Sequence, residues 1–571
     1  MKYRWSLAPA QPAVTQVMAA EHRIAPLLAQ CLLNRGLSEP EAVRSFLEPR
    51  LKQLQDPFLI PNMDRAAERL GRARERGESV VLFGDYDVDG ITASTLLHQF
   101  LSDLGWKVQC FLPRRLEEGY GLSRSGAENC LAQHPATLLL AVDCGANAND
   151  TIQWLEERGV QVIVLDHHQV SDPPPPATAL VNPQLAGPGS PCFRELCSVG
   201  LAFKLAHALL KQGRADNREP EIEYDIRPFL DLVALGTIAD LVPLTGENRI
   251  LVNAGLDRLN RTERPGLLAL GKVAGIQRRI TGYEVGFQLA PRLNAAGRLE
   301  DALESLHLLL APDLASALPI ARTLDTHNRQ RQDIEKTIVE QVLERVRSRF
   351  DPATDLVLVE GDSNWHIGVV GIVASRVLQA FYRPTFVLGG DEAAWRGSGR
   401  SIEGFDLAQA LRQCDDLLLK HGGHAMAAGL TVDPEQVPAL RDRLNDIARQ
   451  RLKPEHLKPT LRLDAEVTPA DMTLESLHEL NRLQQTGMGN PAVRLCMRQV
   501  THQRGLMRMG SDKQHVKMWV TDGRATCEAV WWGAGQGSLP VGQFDLAFTP
   551  KLNDYQGRTT VQLQVADWQP A

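Results

Sequence analysis

The sequence of 571 residues lacks any apolar run long enough to span a membrane, and its first residues, MKYRWSLAPAQPAV, lack the apolar core of a signal peptide. Its nine cysteines lack the paired spacing of a zinc site, since Cys192 and Cys197 have no matching second pair. We therefore expect a protein of the reducing cytoplasm that has no membrane partner. The net charge of −7 also excludes a protein that coats nucleic acid with a uniformly basic surface. Any attraction to nucleic acid has to be local, from bound metal ions or from a basic patch on one domain.

What the sequence contains is a succession of segments with different periodicity. A chain of this length is too long for one core and predicts three or four domains. Strand-like runs alternate with helical stretches from about residue 78, which predicts a mostly parallel sheet with helices on both faces. A polar stretch without glycine or proline (321–350) predicts a connecting helix, a second α/β unit follows it, and the short strands near the C-terminus predict a small β-barrel. The expected segments are a helical N-terminal segment, the first α/β domain, the connecting helix, the second α/β domain and the barrel, at 1–55, 56–312, 313–350, 351–458 and 459–571.

The stretch VVLFGDYDVDGITAS places Asp85, Asp87 and Asp89 at every second position, followed directly by Gly90. The calcium loop of an EF-hand begins in the same way, but it needs a Glu at its twelfth position, where this sequence has Leu96. An EF-hand loop also follows a helix, whereas the apolar run before Asp85 predicts a buried strand. The context is therefore strand, acidic turn and helix, and we reject the calcium loop.

Acidic and imidazole side chains follow further predicted strands of the same domain. Asp143 follows the run TLLLAV, and Asp166, His167 and His168 follow the run VQVIVL. In an open parallel sheet, ligands bind outside the carboxyl ends of the strands. Asp240 comes after an apolar helical stretch that could return it to the same edge. An isolated Asp at a strand end is usually a helix N-cap, and for Asp143 alone that interpretation is preferred.

The whole set of side chains is better explained by bound cations. Carboxylates packed this closely without counter-ions raise one another's pKa values and become neutral. Carboxylates mixed with imidazole suit Mn²⁺, or Mg²⁺ where there is less imidazole, and two ions about 4 Å apart are a common arrangement for phosphoryl chemistry. We therefore expect a site for two divalent ions.

Four motifs stand in the order that is typical of the DHH phosphoesterase superfamily: DYDVDG, VDCG, DHH and GTIAD. In the second α/β unit, SGRS and GGHAMAAG resemble the DHHA1 domain that follows DHH domains. With an OB-like barrel at its C-terminus, the chain resembles the RecJ family of exonucleases from about residue 55 onward. The resemblance implies a 5′→3′ exonuclease on single-stranded DNA, which releases 5′-mononucleotides by two-metal-ion catalysis in DNA repair and recombination.

The resemblance also implies roles for individual residues. The expected metal ligands are Asp85, Asp87, Asp89, Asp143, His167 and Asp240. Asp85 is either a further ligand or a group that supports the ligands. Some relatives have a histidine ligand several residues before the Asp pair, and the matching region here, LFGDYDVD, has none. His168 is expected to face the scissile phosphate, Asp166 to orient the imidazoles, and Asp143 to take part in catalysis.

A second set of residues is expected to bind the substrate. Glycine-rich turns expose backbone N–H groups to phosphate, and Arg binds phosphate through two nitrogens, whereas the alternative interpretation is a surface turn capped by Ser. We expect one of these groups to bind a 5′-terminal phosphate, and a channel between the two α/β units to exclude duplex DNA. The candidates are Arg114, Arg292, Asn294, Arg298, Ser398, Arg400 and His424.

The predicted barrel combines a locally basic stretch, from Arg494 to Arg524, with several aromatic side chains. A positive groove with stacking rings is typical of proteins that bind single strands, although about half of the rings in alternating strands belong to the core. We expect one or two rings to contact bases, and Trp519 is the candidate. The aromatic residues are Trp519, Trp531, Trp532, Phe544, Phe548 and Tyr555.

Partners and rival functions complete the expectations. The family suggests that a single-stranded-DNA-binding protein and a RecQ-type helicase act with a monomeric enzyme. One rival is a pyrophosphatase or an oligonucleotide or cyclic-dinucleotide phosphodiesterase, against which the basic, aromatic barrel argues. The other rival is a non-catalytic replication scaffold, against which the complete acidic set argues.

Overall fold

The computed structural model describes residues 3–114, 118–119, 121–391, 393–535 and 539–571. The chain divides into two compact units, and each is assembled from separate segments of the sequence. The unit that we call the N-terminal unit consists of Gln11–Asn328 and His478–Ala492. The C-terminal unit consists of Met1–Ala10, Arg329–Leu477 and Val493–Ala571. These two units do not test the five contiguous segments expected from the sequence, which stay a prediction.

A fully parallel sheet forms the centre of the N-terminal unit. The first strand of the chain, β1 (Arg4–Leu7), belongs to the other unit and corrects the expectation that residues 1–55 are helical throughout. The five strands of the parallel sheet lie in the order β3-β2-β4-β5-β6. They are β2 (Ser79–Gly84), β3 (Lys107–Phe111), β4 (Leu138–Val142), β5 (Gln161–Leu165) and β6 (Ala179–Val181). The predicted parallel sheet is confirmed.

Helices cover both faces of this sheet. Val80 and Leu82 of β2 belong to a large core with α4, α5, α8 and α10, whereas Val81 and Phe83 pack with α6 and α7 on the opposite face. A strand that is buried on both faces has to be apolar throughout, as VVLF is. The helices of the unit are α1 (Pro12–His22), α2 (Pro26–Leu33), α3 (Pro40–Leu47), α4 (Met63–Arg76), α5 (Val88–Asp103), α6 (Arg124–Gln133), α7 (Asn149–Glu156), α8 (Ser198–Ala215), α9 (Glu219–Glu223), α10 (Leu230–Ala239), α11 (Gly246–Leu259), α12 (Pro265–Val273), α13 (Gly282–Glu284), α14 (Ala290–Leu299) and α15 (Leu303–Leu309).

A long helix and a mixed sheet begin the main part of the C-terminal unit. Helix α16 (Leu314–Arg349) has 36 residues, and the division between the units falls within it. The sheet has the strand order β10-β11-β9-β8-β7, and only β7 and β8 are parallel. Its strands are β7 (Leu358–Asp362), β8 (Thr385–Gly390), β9 (Trp395–Arg400), β10 (Lys420–Gly423) and β11 (Ala427–Val432), and its helices are α17 (Val370–Phe381), α18 (Leu407–Arg412) and α19 (Val437–Arg451).

The last part of the chain is a closed five-stranded barrel. Strands β14, β18, β19, β17 and β16 pair in that order, β16 pairs with β14 again, and only β17 and β19 are parallel. This is the topology of an OB-fold, as predicted. The remaining elements are β12 (Thr460–Leu463), which pairs with β1, β13 (Ala465–Glu466), α20 (Leu474–Leu480), β14 (Leu495–His502), β15 (Met507–Met509), β16 (His515–Thr521), β17 (Thr526–Trp531), β18 (Phe544–Tyr555) and β19 (Arg558–Pro570). Among the helices described, none is both long and apolar enough to span a membrane.

Candidate metal centre and substrate-binding residues

The register of the parallel sheet brings three aspartates to one level. Gly84 lies opposite Val142, and Val142 lies opposite Leu165, so that the next residue of each strand is an Asp. The backbone N–H of Asp85 donates to the Val142 carbonyl at 3.1 Å, and that of Asp143 donates to the Leu165 carbonyl at 3.0 Å. The backbone therefore remains paired to the point where the side chains leave the sheet edge.

The acidic turn after β2 is held by its own carboxylate and by a close approach of the backbone. Asp87 caps α5 by accepting hydrogen bonds from the N–H groups of Asp89 at 2.9 Å and Gly90 at 3.2 Å. A Cβ atom on Gly90 would lie 2.5 Å from the carbonyl oxygen of Asp85, so only glycine fits this position. These contacts thus fix the backbone of the turn that carries the three carboxylates.

The N-terminus of α8 supports two of the carboxylates. The N–H groups of Ser198 and Val199 donate to Asp89 at 2.6 and 2.8 Å, and the Ser198 hydroxyl donates to Oδ1 of Asp143 at 2.8 Å. A helix N-terminus carries partial positive charge, which favours these anions. Sequence reasoning missed Ser198, because nothing in ELCSVG indicates a contact with residues so distant in the chain.

His167 lies at the centre of the cluster. Its Nε2 atom is 3.4 Å from Asp143 Oδ1, 3.6 Å from Asp240 Oδ2 and 4.0 Å from Asp89 Oδ2. Helix α10 does return Asp240 to the sheet edge. Gly236 permits this approach, because a Cβ atom there would lie 3.1 Å from Oδ1 of Asp89.

The neighbouring histidine has a different environment. Asp166 accepts hydrogen bonds from Nδ1 of His168 at 2.7 Å and from the N–H groups of His167 and Ala146 at 2.8 and 2.9 Å. Burial lowers the pKa of His168, but the hydrogen bond to Asp166 together with the charges of Asp166, Asp240 and Asp85 outweighs burial and raises the pKa to about 9. Burial and the nearby His168 lower the pKa of His167 to about 4. One imidazole is thus a cation at neutral pH, whereas the other is neutral, as a metal ligand must be.

The carboxylates carry the signature of a cation site. Burial and the charge of neighbouring carboxylates raise the pKa of Asp89 to about 7 and that of Asp240 to about 9, and they raise the pKa values of Asp85 and Asp143 well above the usual range. Both carboxyl oxygens of Asp85, Oδ2 of Asp240 and Nε2 of His167 are buried without a hydrogen-bond partner. Buried polar atoms normally have partners, and divalent cations would satisfy these.

Ligand atoms converge in three overlapping groups. Asp85, Asp87 and Asp143 form one, Asp89, His167 and Asp240 form another, and within each group the atoms lie within 4.8 Å of one another. The third group joins Asp143, His167 and His168. The residues of these groups would together hold divalent ions. Asp85, whose role the sequence left open, converges with Asp87 and Asp143, and neither of its carboxyl oxygens has a hydrogen-bond partner.

Three of the candidate substrate residues of the N-terminal unit have partners inside the unit. Nε of Arg292 lies 2.9 Å from Asp325, and Nε of Arg114 lies 3.4 Å from Asp301. The side-chain oxygen of Asn294 accepts a hydrogen bond from the N–H of Val88 at 3.1 Å and so holds the N-terminus of α5. Arg298, one turn further along α14, is half-buried.

The candidates of the C-terminal unit lie on its mixed sheet. Arg400 and Ser398 are both on β9, and Nη1 of Arg400 donates to the Ser398 hydroxyl at 2.8 Å. Gly371, in the first turn of α17, lies so close that a Cβ atom would be 3.0 Å from the Ser398 oxygen. His424 is exposed between β10 and β11.

The aromatic residues of the barrel differ in their exposure to solvent. Phe544 and Phe548 are fully buried, whereas Trp532 and Tyr555 are exposed. Trp519 alternates with buried neighbours on β16, and the guanidinium of Arg504 and the ammonium of Lys517 lie 5.8 and 5.3 Å from its ring centre. In OB-folds this second strand belongs to the ligand-binding face. Trp531 is half-buried at the end of β17.

Not all of the basic residues in this stretch are available to nucleic acid. Arg498 donates to Asp545 at 2.6 Å, and Lys517 lies 2.6 Å from Glu528.

Comparison with known proteins agrees with this geometry. Family models match three segments: the DHH family, N-terminal domain (79–237), the DHHA1 domain (354–450) and the RecJ OB domain (463–567). The single-stranded-DNA-specific exonuclease RecJ of Bacillus subtilis is 36% identical over 572 residues, which cover 99% of this chain and 71% of that protein. The chain belongs to the RecJ exonuclease family. The match to the RecJ OB domain agrees with the argument from the barrel against the rival phosphodiesterases.

Solved structures of RecJ match the whole chain. RecJ of Thermus thermophilus in complex with Mn²⁺ is 30% identical, with a TM-score of 0.85 over 100% of this chain and 80% of that one. The same protein in complex with Mg²⁺ is 29% identical, with a TM-score of 0.79 over 100% and 79%.

Proposed function

We propose that this RecJ family member is a single-stranded-DNA-specific exonuclease that hydrolyses phosphodiester bonds with two Mn²⁺ or Mg²⁺ ions. The observation that carries the proposal is the cluster of buried carboxylate and imidazole atoms without partners at the carboxyl edge of the parallel sheet. Buried carboxyls without partners destabilise the fold, so such a cluster is not expected in a scaffold protein that binds no metal.

The ligands that we assign to the ions are Asp85, Asp87, Asp89, Asp143, His167 and Asp240. When bound, the ions supply positive charge to the phosphate oxygens and activate the attacking water. The chain contributes the geometry: α8 fixes Asp89 and Asp143, and Gly236 lets α10 bring Asp240 within range.

We assign His168 to the scissile phosphate. Its raised pKa keeps it protonated at neutral pH, and Asp166 binds Nδ1 and so orients the ring. A fixed imidazolium can donate a hydrogen bond to a phosphate oxygen, or a proton to the leaving oxygen. Asp166 is thus a positioning residue, and a loss of kcat of about five-fold or more in Asp166→Asn is expected, with a shifted pH profile.

Binding of the strand is assigned to three places. In the N-terminal unit these are Arg114, Arg292, Asn294 and Arg298; in the mixed sheet they are Ser398, Arg400 and His424; on the barrel it is Trp519. We propose that one of the arginines binds the 5′-terminal phosphate, which would set a 5′→3′ direction and the release of 5′-mononucleotides. Trp519, with the guanidinium of Arg504 beside its ring, suits a base and its phosphate.

One digestion tests the proposal. The purified protein is given single strands and duplex DNA, labelled at the 5′ or the 3′ end, with Mn²⁺ or with EDTA. We expect single strands to be degraded from the 5′ end in Mn²⁺ and to persist in EDTA. Equal degradation of duplex, or attack from the 3′ end, contradicts the specificity or the direction. Asp143→Ala protein, purified in parallel, reports any contaminating nuclease.

The cellular setting is part of the proposal. We propose that the enzyme acts as a cytoplasmic monomer in DNA repair and recombination, on strands supplied by a RecQ-type helicase and covered by a single-stranded-DNA-binding protein. Light scattering after gel filtration tests the monomer. Digestion rates with and without the purified binding protein and helicase test the partners, and unchanged rates would contradict them.

A further inference from the structure

Two large aromatic side chains of the N-terminal unit are exposed side by side. Tyr283 is 57% exposed and Phe287 70% exposed, and their ring centres are 4.9 Å apart with an interplanar angle of 31°. Exposed rings are stabilised by burial against a ligand, and a pair in this arrangement presents a continuous apolar surface. Neither residue is used by the site described above.

The pair stands on a firmly anchored turn. Helix α13 is capped by Thr281, whose N–H and hydroxyl donate to Glu284 at 2.9 and 2.6 Å. Ile280, just before it, exchanges two hydrogen bonds of 2.8 Å with Asn260 at the end of α11. A single π-helical turn (Val285–Leu289) follows, and such turns are frequent at functional sites. The backbone turn that leads into the segment with the two rings is therefore held in place by the chain itself.

The same helical segment leads to the metal centre. The π-helical turn continues directly into α14. The positions 283, 287, 291, 294 and 298 of this segment are at least partly exposed and follow one another at a spacing of three or four residues. Asn294, seven residues after Phe287 and so about 10 Å along the helix, binds the backbone of the acidic turn at Val88. Gly297 lies against the Tyr86 carbonyl, where a Cβ atom would be 2.8 Å away.

The charge of this segment matches a polyanion. Helix α14, APRLNAAGRL, contains Arg292 and Arg298 and no acidic residue. Arg298 follows the rings at this spacing, whereas Arg292 lies 2.9 Å from Asp325 and supports the unit itself. A ring followed by a cation is a combination that suits single-stranded nucleic acid, because a base stacks on the ring while a phosphate meets the cation.

We propose that Tyr283 and Phe287 form a stacking platform for nucleobases of the DNA strand, a few nucleotides from the bond that is cleaved. The proposal rests on the proposed function and adds two substrate-binding residues to it. Stacking is tolerant of sequence, because every base has an aromatic face, so the platform serves an enzyme that degrades strands of any sequence. It also favours single strands, since bases in a duplex are already stacked on their neighbours.

The test is a double-mutant cycle in which an aromatic ring of the protein and a base of the DNA are removed singly and together. The initial rate at which the terminal nucleotide is released from an oligodeoxythymidylate of about 20 nucleotides, longer than the site of a single OB-fold, is measured in Mn²⁺ for wild type and for Phe287→Ala. A series of oligonucleotides carries one abasic site at successive positions from the attacked end. We expect Phe287→Ala to raise KM about 10-fold with little change in kcat, because stacking binds ground state and transition state alike.

Coupling between the two changes is the decisive readout. One abasic position should raise the wild-type KM by a similar factor and have no further effect on Phe287→Ala. Phe287→Trp should restore the wild-type KM, and Leu268→Ala, which removes another exposed apolar side chain of the unit, should leave it unchanged.

The outcomes separate this inference from the proposed function. Fully additive effects, or a Tyr283→Ala/Phe287→Ala double variant with the wild-type KM, would overturn the platform while leaving the exonuclease in place. A wild-type protein that releases no nucleotide would overturn the proposed function itself. A normal KM together with a loss of self-association or of binding to another protein would assign the rings to a protein interface.

Discussion

Buried aspartates occur in both units, and their surroundings are opposite. Asp545 in the barrel accepts hydrogen bonds from Arg498 at 2.6 Å, from the N–H of Gln499 at 2.9 Å and from Gln569 at 3.2 Å. Burial raises its pKa, but these partners outweigh burial and hold the pKa below its usual value. Asp85 is completely buried, has no partner for either oxygen, and its pKa is raised by burial and by Asp87.

The difference shows that burial alone does not identify the function of a carboxylate. A buried carboxylate with an Arg and an N–H donor is satisfied by the chain and supports the fold. A buried carboxylate without partners, beside others of its kind, needs a positive ligand from outside the chain. Four predictions contrast the two kinds, with Asp545 and its partners as the internal control.

The largest difference between the aspartates of the metal centre and Asp545 should be in catalysis. Asp143→Ala should lower kcat on single-stranded DNA about 1,000-fold or more, because it removes a carboxylate that would hold the catalytic ions. Asp545→Ala should keep the kcat of each folded molecule. Rates are measured with Mn²⁺, and circular dichroism checks folding. An Asp143→Ala protein that retains full activity would refute the metal assignment.

The parts of this comparison that could be predicted from the sequence follow from regular structure. Apolar strands pair in parallel register, so Asp143 and Asp166, each directly after such a strand, had to meet at one edge. The return of Asp240 followed from the length of one apolar helix. Trp519 was the candidate among the rings of the barrel, and the structure shows that it alternates with buried neighbours in β16 and so lies outside the barrel core.

What could not be predicted depends on contacts between distant residues with no periodic pattern. Ser198 binds carboxylates that lie 55 and 109 positions earlier in the chain. Arg292, chosen as a phosphate ligand, lies 2.9 Å from Asp325, and a single sequence does not reveal such pairs. The pairing of β1 with β12, which are distant in the chain, is equally invisible, because a four-residue strand carries too little periodicity.

The stabilisation of the protein by Mn²⁺ should depend on the aspartates of the metal centre and not on Asp545. With Mn²⁺ at about 100 times its dissociation constant, the free energy of unfolding of the wild type should rise by about 2.7 kcal/mol over its value in EDTA. Asp85→Asn should lose most of this gain but stay within about 1 kcal/mol of the wild type in EDTA, because neither carboxyl oxygen has a partner to lose. Asp545→Asn should keep the gain and lose about 1–3 kcal/mol in both buffers. Urea unfolding measures all three proteins, and an equal Mn²⁺ gain in Asp85→Asn would contradict the assignment.

The pH dependence of stability should have opposite signs at the two kinds of site when EDTA is present. The pKa of Asp240 rises from 3.8 to about 9 on folding, so the folded protein holds a proton that the unfolded chain has released. Stability is therefore lost as pH rises between these values, and Asp240→Asn should gain about 1–3 kcal/mol relative to the wild type from about pH 5 to pH 9. The pKa of Asp545 is lowered, so its contribution is present above about pH 4 and disappears in acid. Urea unfolding at about pH 3, 5, 7 and 9 checks both slopes, and parallel slopes for the two variants would contradict the distinction.

The smallest effects should come from the neutral groups that support each carboxylate. Ser198→Ala removes the hydroxyl that donates to Asp143, and we expect about 10-fold weaker activation by Mn²⁺, which Ser198→Thr should largely restore. Gln569→Ala removes a comparable donor from Asp545 and should cost about 0.5–1 kcal/mol of stability without any change in the Mn²⁺ dependence of kcat. Both variants delete one hydrogen bond to a buried carboxylate, so a purely structural role predicts the same outcome for both. A shift in the Mn²⁺ titration for Ser198→Ala alone requires that the carboxylate it supports is a metal ligand, whereas matching titrations would reduce Ser198 to a structural residue.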